Sequence, residues 1–274
     1  MTAILSWITN DGKPGAASLY LASDSRISRK RADGGYDVLD DNFQKVFASP
    51  QTPDIFAFCG PVVGVPALIE ELIKAAVQVR GAKGYGERAE SVFSEDLFGC
   101  VLKQRAFGVQ AGLSVFHGYR FGTRRFGLTK VTIGDNQAPT FSPYGFGADW
   151  GLLAVDGKGD DMVEKKQEEY LSLEAESKGY SRWLWMSFYA SLVNASEVTC
   201  GGAPQLAGLY GENGGNVLGV YFKGAAFVEG KLCVRADIEY RDELFQRVDA
   251  SGSRLPNAQP HARMGKPRIF QFAP

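Results

Sequence analysis

The sequence predicts an α+β fold of antiparallel sheets with helical layers. Three observations carry this. Apolar–polar alternation comes in runs of consecutive short segments joined by turn-rich connections. Helical periodicity comes in longer windows placed between those runs. Strict strand–helix alternation, the pattern of a doubly wound parallel sheet, is missing. At 274 residues the chain fits one large domain or two small ones, and it is long enough to bury a sizeable core.

The elements follow in order. Residues 2 to 9 (TAILSWIT) and 16 to 22 (AASLYLA) alternate as two strands, and NDGKPG between them has turn composition. The polar, glycine-containing stretch SRISRKRADGGYDVLDDN reads as a loop. QKVFAS and DIFAFCG read as a second hairpin across PQTP. VGVPALIEELIKAAVQVR has helical period and ends at Gly81, and a second helix is expected near ERAESVFSEDLFGCVLKQRA. GLSVFHGYRF, RRFGLTKVTIG and APTFSPYG then read as strands. Helices are expected to resume from about Ala148, with DDMVEKKQEEYLSLEAES and YSRWLWMSFYASLVNAS as the clearest windows. Strands return at QLAGLYGE, NVLGVYFKG, AFVEG and LCVRAD. The segment from about Glu239 carries Pro256, Pro260, Pro267 and Pro274 and reads as an extended tail, either clipped to a surface or disordered. A main domain over 1–240 and an extension over 241–274 is the expected division.

Composition excludes several classes. Thirty Lys and Arg against 31 Asp and Glu leave a net charge of −1, which gives no electrostatic case for nucleic acid or membrane partners. No apolar run reaches the roughly 18 to 20 residues of a membrane span, and MTAILSWITNDG lacks the basic and apolar regions of a signal peptide. A cytoplasmic protein is expected. Cys59, Cys100, Cys200 and Cys233 are widely spaced and read as reduced thiols. The two histidines, His117 and His261, offer neither a histidine-rich metal site nor an evident triad. No metal or cofactor is implied. GAKGYG lacks the strand–turn–helix setting of a phosphate loop. Arg26, Arg29, Lys30 and Arg31 read as a solvated basic loop, and the aromatic residues of 181–196 as core.

With these motifs set aside, a chain-long resemblance stands out. Thr2 directly behind Met1, Asp24 in LASDSRIS, Lys45 in DNFQKVFAS, Gly60 in FAFCGPVVG, then YGFGADW and SEVTCGGAPQLAGLY arrive in order over about residues 2–225. This series resembles the proteasome β-subunit family, including the bacterial two-ring ATP-dependent peptidases, which are N-terminal nucleophile hydrolases. The resemblance implies a four-layer αββα sandwich of two antiparallel sheets. It implies that Thr2, exposed by ordinary methionine aminopeptidase removal of Met1, is the nucleophile. It places Asp24 and Lys45 beside Thr2, and the Gly60 N–H in the oxyanion hole.

The chemistry asks for such residue types. A threonine hydroxyl needs a nearby base. A free α-amine, with a pKa of about 8, supplies one on the same residue. An ammonium beside the hydroxyl favours its deprotonation, and a carboxylate balances that ammonium. A backbone N–H stabilises the tetrahedral oxyanion.

The chain also departs from the family pattern. The gap from Thr2 to Asp24 is longer, Phe146 stands where the third-helix turn has serine, and Glu197 and Cys200 replace an aspartate and a serine. Ile27, Phe43, Phe47, Phe58 and Val62 match the specificity pocket, and their apolar character suggests a large apolar side chain before the scissile bond unless Phe58 fills the space. The resemblance further implies polypeptide substrates, self-association into a ring or open spiral, and a possible ATPase unfoldase partner. Two alternatives stay open. Phe146 and Cys200 favour a non-catalytic assembly or binding scaffold, which the retained Thr2, Asp24, Lys45 and Gly60 oppose. Cys200 as the nucleophile would lack a histidine placed to activate it.

Overall fold

The computed structural model describes residues 2–9, 16–81, 93–104, 107–134, 138–145, 151–157, 159–173, 181–193, 198–211 and 214–256. The chain runs β1 (Ile4–Thr9), β2 (Ser18–Ser23), β3 (Ile27–Lys30), β4 (Tyr36–Asp40), β5 (Val46–Ala48) and β6 (Asp54–Cys59), then α1 (Val65–Gly81) and α2 (Phe93–Gln104). Next come β7 (Leu113–Phe121), β8 (Arg125–Ile133), β9 (Pro139–Tyr144) and β10 (Gly151–Asp156), followed by α3 (Asp160–Leu173) and α4 (Ser181–Val193). The last strands are β11 (Gln205–Tyr210), β12 (Asn216–Phe222), β13 (Ala225–Val228), β14 (Lys231–Leu232), β15 (Tyr240–Arg241) and β16 (Arg247–Val248).

One sheet has nine strands in the order β10-β1-β2-β11-β12-β13-β14, with β15 against β12 and β16 against β15. A second has five, β5-β6-β7-β8-β9, and β3 and β4 form a two-stranded third. Pairing is antiparallel except between β12 and β15. Among the described residues there are four helices, and none is long and apolar enough to cross a membrane.

The alternation of side chains along single strands sorts the cores. In β1, Ile4 and Ile8 join Leu19, Leu21, Ile55, Ala57 and Phe116 in a cluster drawn from both larger sheets. Leu5 and Trp7 point the other way, onto Val163 of α3 and Trp185, Phe188 and Leu192 of α4. In β6, Ile55 and Ala57 face the first cluster, whereas Phe56 and Phe58 face Leu68, Ile69, Leu72 and Phe98 of α1 and α2. Apolar side chains of the nine-stranded sheet thus meet α3 and α4, and those of the five-stranded sheet meet α1 and α2.

Two sequence expectations need correction, and of the two states expected of the tail the described part takes the packed one. The stretch read as a polar loop after β2 forms the β3–β4 hairpin, with Lys30 opposite Tyr36. It is half-exposed on both faces and so lacks the alternation that reports a buried strand. The expected restart of helix at about Ala148 lies outside the described residues, and no helix follows directly. Residues 151–156 form β10 against β1, and α3 opens at Asp160. The tail is packed as far as it is described: β15 pairs with β12, and Phe245 lies among Trp7, Tyr20 and Trp185 at ring separations of 5.9, 5.3 and 5.8 Å. The GAKGYG motif falls almost wholly outside the described residues.

His117 belongs to a buried clamp. The fully buried Asp54 takes a two-pronged contact from Arg80 of α1, Nε to Oδ2 and Nη2 to Oδ1, both 2.7 Å. His117 Nε2 donates to Asp54 Oδ1 at 3.0 Å, and its Nδ1 accepts the Ser94 hydroxyl at 2.9 Å. The imidazole stacks on Phe56 at 4.6 Å. This has the residue types of a catalytic triad, but Ser94, His117 and Asp54 are all sealed from solvent. It ties α1 and α2 to β6 and β7. Burial pushes His117 down from its usual range despite the hydrogen bond and charge of Asp54. Burial alone would raise the Asp54 carboxyl, but the hydrogen bonds from His117 and Arg80 outweigh it and hold the carboxyl at about 2.

A folded pKa below the unfolded value gives stability that is present above the unfolded value and lost as pH falls. Asp54→Asn should therefore cost about 3–5 kcal/mol at neutral pH. That gap should narrow by about 2.5 kcal/mol as pH falls from 3.8 toward about 2. Urea denaturation of both proteins across this range checks it; a gap independent of pH would remove the carboxylate from the explanation.

Candidate active site

The β1–β2 register builds the site. Ile4 lies opposite Ser23, so Ala3 falls beside Asp24 as both strands end. The long connection between Thr2 and Asp24 leaves this pairing intact. The Ala3 N–H donates to Asp24 Oδ1 at 3.1 Å. Lys45, just before β5, brings Nζ to the same oxygen at 2.9 Å and to the Arg26 carbonyl at 2.6 Å. The other oxygen, Oδ2, accepts the Arg26 and Gly201 N–H groups, each at 3.2 Å. Asp24 is 0% and Lys45 1% exposed. Thr2 is buried as well, and its carbonyl accepts the Gly159 N–H at 3.3 Å.

Gly60 follows β6 and is solvent-exposed. Its φ of 110° and the Gly112 carbonyl, 2.4 Å from where a Cβ would stand, restrict the position to glycine. Two residues earlier, the Phe58 N–H bonds the Lys45 carbonyl, which ties the end of β6 to the lysine. Cys200 is buried, and a Cβ on Gly159 would stand 2.5 Å from its Sγ. Burial first, and the Asp24 charge second, push its thiol up to about 12. Cys200 is thus a neutral thiol at physiological pH, which argues against it as the nucleophile. Glu197 and Phe146 lie outside the described residues.

The five pocket residues divide. Phe47 and Phe58 belong to the core beneath α1 and α2, and Phe43 and Val62 pack against that core. Phe58 is 0% exposed and takes the ring of Phe43 edge-on at 6.3 Å and that of Phe47 at 6.5 Å. Ile27, the first residue of β3, is half-buried, as are Phe43 and Val62.

Sequence reasoning missed three features. Arg26, read from the sequence as part of a solvated basic loop, instead grips Asp41 with Nε and Nη2 at 2.6 and 2.9 Å and reaches the Val198 and Cys200 carbonyls. Gln205 bonds main-chain groups of Asp24, Phe43, Lys45 and Val46. The third is the turn opening α3. YGFGADW was expected to supply it, yet β10 follows that motif, and the backbone touching Thr2 belongs to Gly157 and Gly159. Lys158 stands between these glycines in the sequence and lies outside the described residues. Two glycines spaced by one residue ahead of an acidic helix start, DGKGDD, were the available signal.

No family model matches the chain, and no curated protein matches it. Among solved structures, it is similar to the Anbu (Gly-1) mutant from Hyphomicrobium sp. strain MC1. The identity is 13%, the match covers 76% of this chain and 80% of that one, and the TM-score is 0.46. At that score the likeness carries no argument about chemistry.

Gly157 has φ 99°, and a Cβ there would stand 2.0 Å from the Thr2 carbonyl oxygen. Gly157→Ala should therefore destabilise the protein by about 1–3 kcal/mol through overpacking and backbone strain. Thermal denaturation checks this, and an unchanged midpoint would mean that the turn does not press on Thr2.

Proposed function

We propose that the chain is an N-terminal nucleophile hydrolase with the αββα sandwich of the proteasome β-subunit family, acting as a threonine-type peptidase. The observation that carries this reading is the convergence of the Ala3 N–H and the Lys45 ammonium on one oxygen of the buried Asp24. A dry lysine–aspartate pair is expensive to maintain. Here it lies against the peptide bond that follows Thr2, where a nucleophile at residue 2 would use it.

Loss of Met1 frees the Thr2 α-amine. The amine accepts the hydroxyl proton, and Oγ attacks the scissile carbonyl carbon. The Gly60 N–H takes the developing oxyanion. The α-ammonium returns its proton to the leaving amine as the C–N bond breaks, leaving an ester on Thr2. Water then gives a proton to the α-amine and attacks the ester, which releases the acid and regenerates the hydroxyl. Lys45 lowers the cost of negative charge near Oγ, and Asp24 fixes its ammonium. Polypeptides are the proposed substrates, with a ring or open spiral confining the sites and an ATPase unfoldase feeding them.

Intact mass after treatment with a peptide epoxyketone, which needs a hydroxyl and a free amine on one residue, tests the reading. The expected result is loss of Met1 and a single adduct that is absent in Thr2→Ala. Thr2→Ala and Lys45→Ala should each abolish peptide hydrolysis, while Cys200→Ala should only weaken it. Full activity of Thr2→Ala would overturn the proposal; loss of Met1 with no adduct would favour the scaffold reading.

We propose further that Phe58, fully buried against Phe43 and Phe47, fills the pocket and selects a smaller residue before the scissile bond than the pocket's composition alone suggests. Alanine-type fluorogenic peptides should exceed phenylalanine-type peptides by about tenfold in kcat/KM, and Phe58→Ala should reverse that order. A wild-type preference for phenylalanine would show that the rings move aside.

A further inference from the structure

We infer that Gln205 is a positioning residue that sets the Asp24–Lys45 pair; its catalytic consequence rests on the peptidase reading above. Gln205 begins β11, opposite Ser23 at the end of β2, and is buried. Its side chain crosses from the nine-stranded sheet to the chain entering the five-stranded one. Oε1 accepts the Lys45 N–H at 2.8 Å and the Val46 N–H at 3.2 Å. Nε2 donates to the Asp24 carbonyl at 3.2 Å and to the Phe43 carbonyl at 2.7 Å. A primary amide has two donor hydrogens and two acceptor lone pairs, and all four are used. The partners also fix the orientation of the amide: a flipped group would face oxygen with oxygen and N–H with N–H.

The consequence is geometric. Asp24 directly follows β2 and Lys45 directly precedes β5, and these two strands belong to different sheets. Gln205 bonds the main chain of both residues, so it sets the separation across which the Lys45 ammonium meets the carboxylate. Two long side chains left to themselves would lose rotamer freedom to hold that distance. Asparagine lacks the reach, and leucine would leave the four main-chain groups without their present partner. Glutamate keeps the shape and the acceptor side, but its ionised form turns a second oxygen toward the Asp24 and Phe43 carbonyls. Only the protonated acid restores one of the two donors, and burial favours that form as pH falls.

The test uses the full chain labelled with [6-13C]lysine, in which the Lys45 signal is identified by its loss in Lys45→Arg. Gln205→Leu should move or broaden that signal and reduce kcat on a peptide substrate by about 100-fold, with KM within about threefold. Gln205→Glu should fold and displace the signal at high pH. Its rate relative to wild type should rise as pH falls from about 8 to about 5, a profile that a merely structural role would not give. If Gln205→Leu does not fold, Gln205→Glu decides. A Lys45 signal at its wild-type position in the folded variants would overturn the inference, as would a loss carried by KM alone. If the wild-type protein hydrolyses nothing, the peptidase reading fails on its own, and the Lys45 signal still reports whether Gln205 sets the pair.

Discussion

The buried ion pair between Asp24 and Lys45 is the constraint to which the surrounding backbone is fitted. Moving a carboxylate and an ammonium out of water costs several kcal/mol for each ion, and the pair is tolerable only when the remaining hydrogen-bonding capacity is met. Asp24 meets it with four donors drawn from four segments: Ala3 ahead of β1, Arg26 after β2, Lys45 ahead of β5 and Gly201 ahead of β11. Arg26 serves the pair twice, giving its N–H to Asp24 and its carbonyl to Lys45. Its guanidinium then holds Asp41 and the Val198 and Cys200 carbonyls, which anchors the approach to Gly201. Order at one carboxylate thus fixes the ends of both larger sheets.

Most of these contacts use main-chain atoms, which explains what the sequence could and could not reveal. Asp24 and Lys45 were legible only through the resemblance of LASDSRIS and DNFQKVFAS to known motifs, since each alone reads as a turn former or a solvated strand-edge residue, and the structure does bring them together. The hairpins around β1, β2, β5 and β6 and the helices α1 to α4 were legible from period alone. The β3–β4 hairpin was not, because neither of its faces is buried. The turn against Thr2 was sought one strand too early, since YGFGADW and VDGKGDD are both glycine-bounded and only tertiary contact separates them. Gln205 carried no signal. A glutamine at the first position of a strand has the ordinary look of a solvated end, and its role comes from reaching across to another sheet.

The same contrast separates the two buried polar clusters. The Asp54–His117–Ser94 arrangement has the more familiar catalytic residue types, yet its imidazole is covered by Phe56 and its carboxylate is gripped by Arg80. No reacting group can approach without unpacking α1 and α2. The Asp24–Lys45 pair is equally dry, but it adjoins residue 2 and its neighbours end in the exposed Gly60. On the proposed chemistry, what sets the Asp24–Lys45 pair apart from the clamp is its contact with the backbone that follows residue 2, since both clusters are equally buried.

Cys200 shows how far a departure from the pattern of the proposed family can go without changing the logic of the proposed site. Its thiol is held neutral by burial and by the Asp24 charge, and it packs where a Cβ on Gly159 would collide with it. A serine there would bring a stronger hydrogen-bonding group into the same space. Sulfur is larger and less demanding, so it fills the gap beneath the α3 turn while leaving all four acceptor positions of Asp24 to main-chain N–H groups and Lys45. The exchange therefore removes a potential hydrogen bond near residue 2 but does not disturb the ion pair. On the proposed chemistry it bears on how fast Thr2 reacts, and not on which residue reacts.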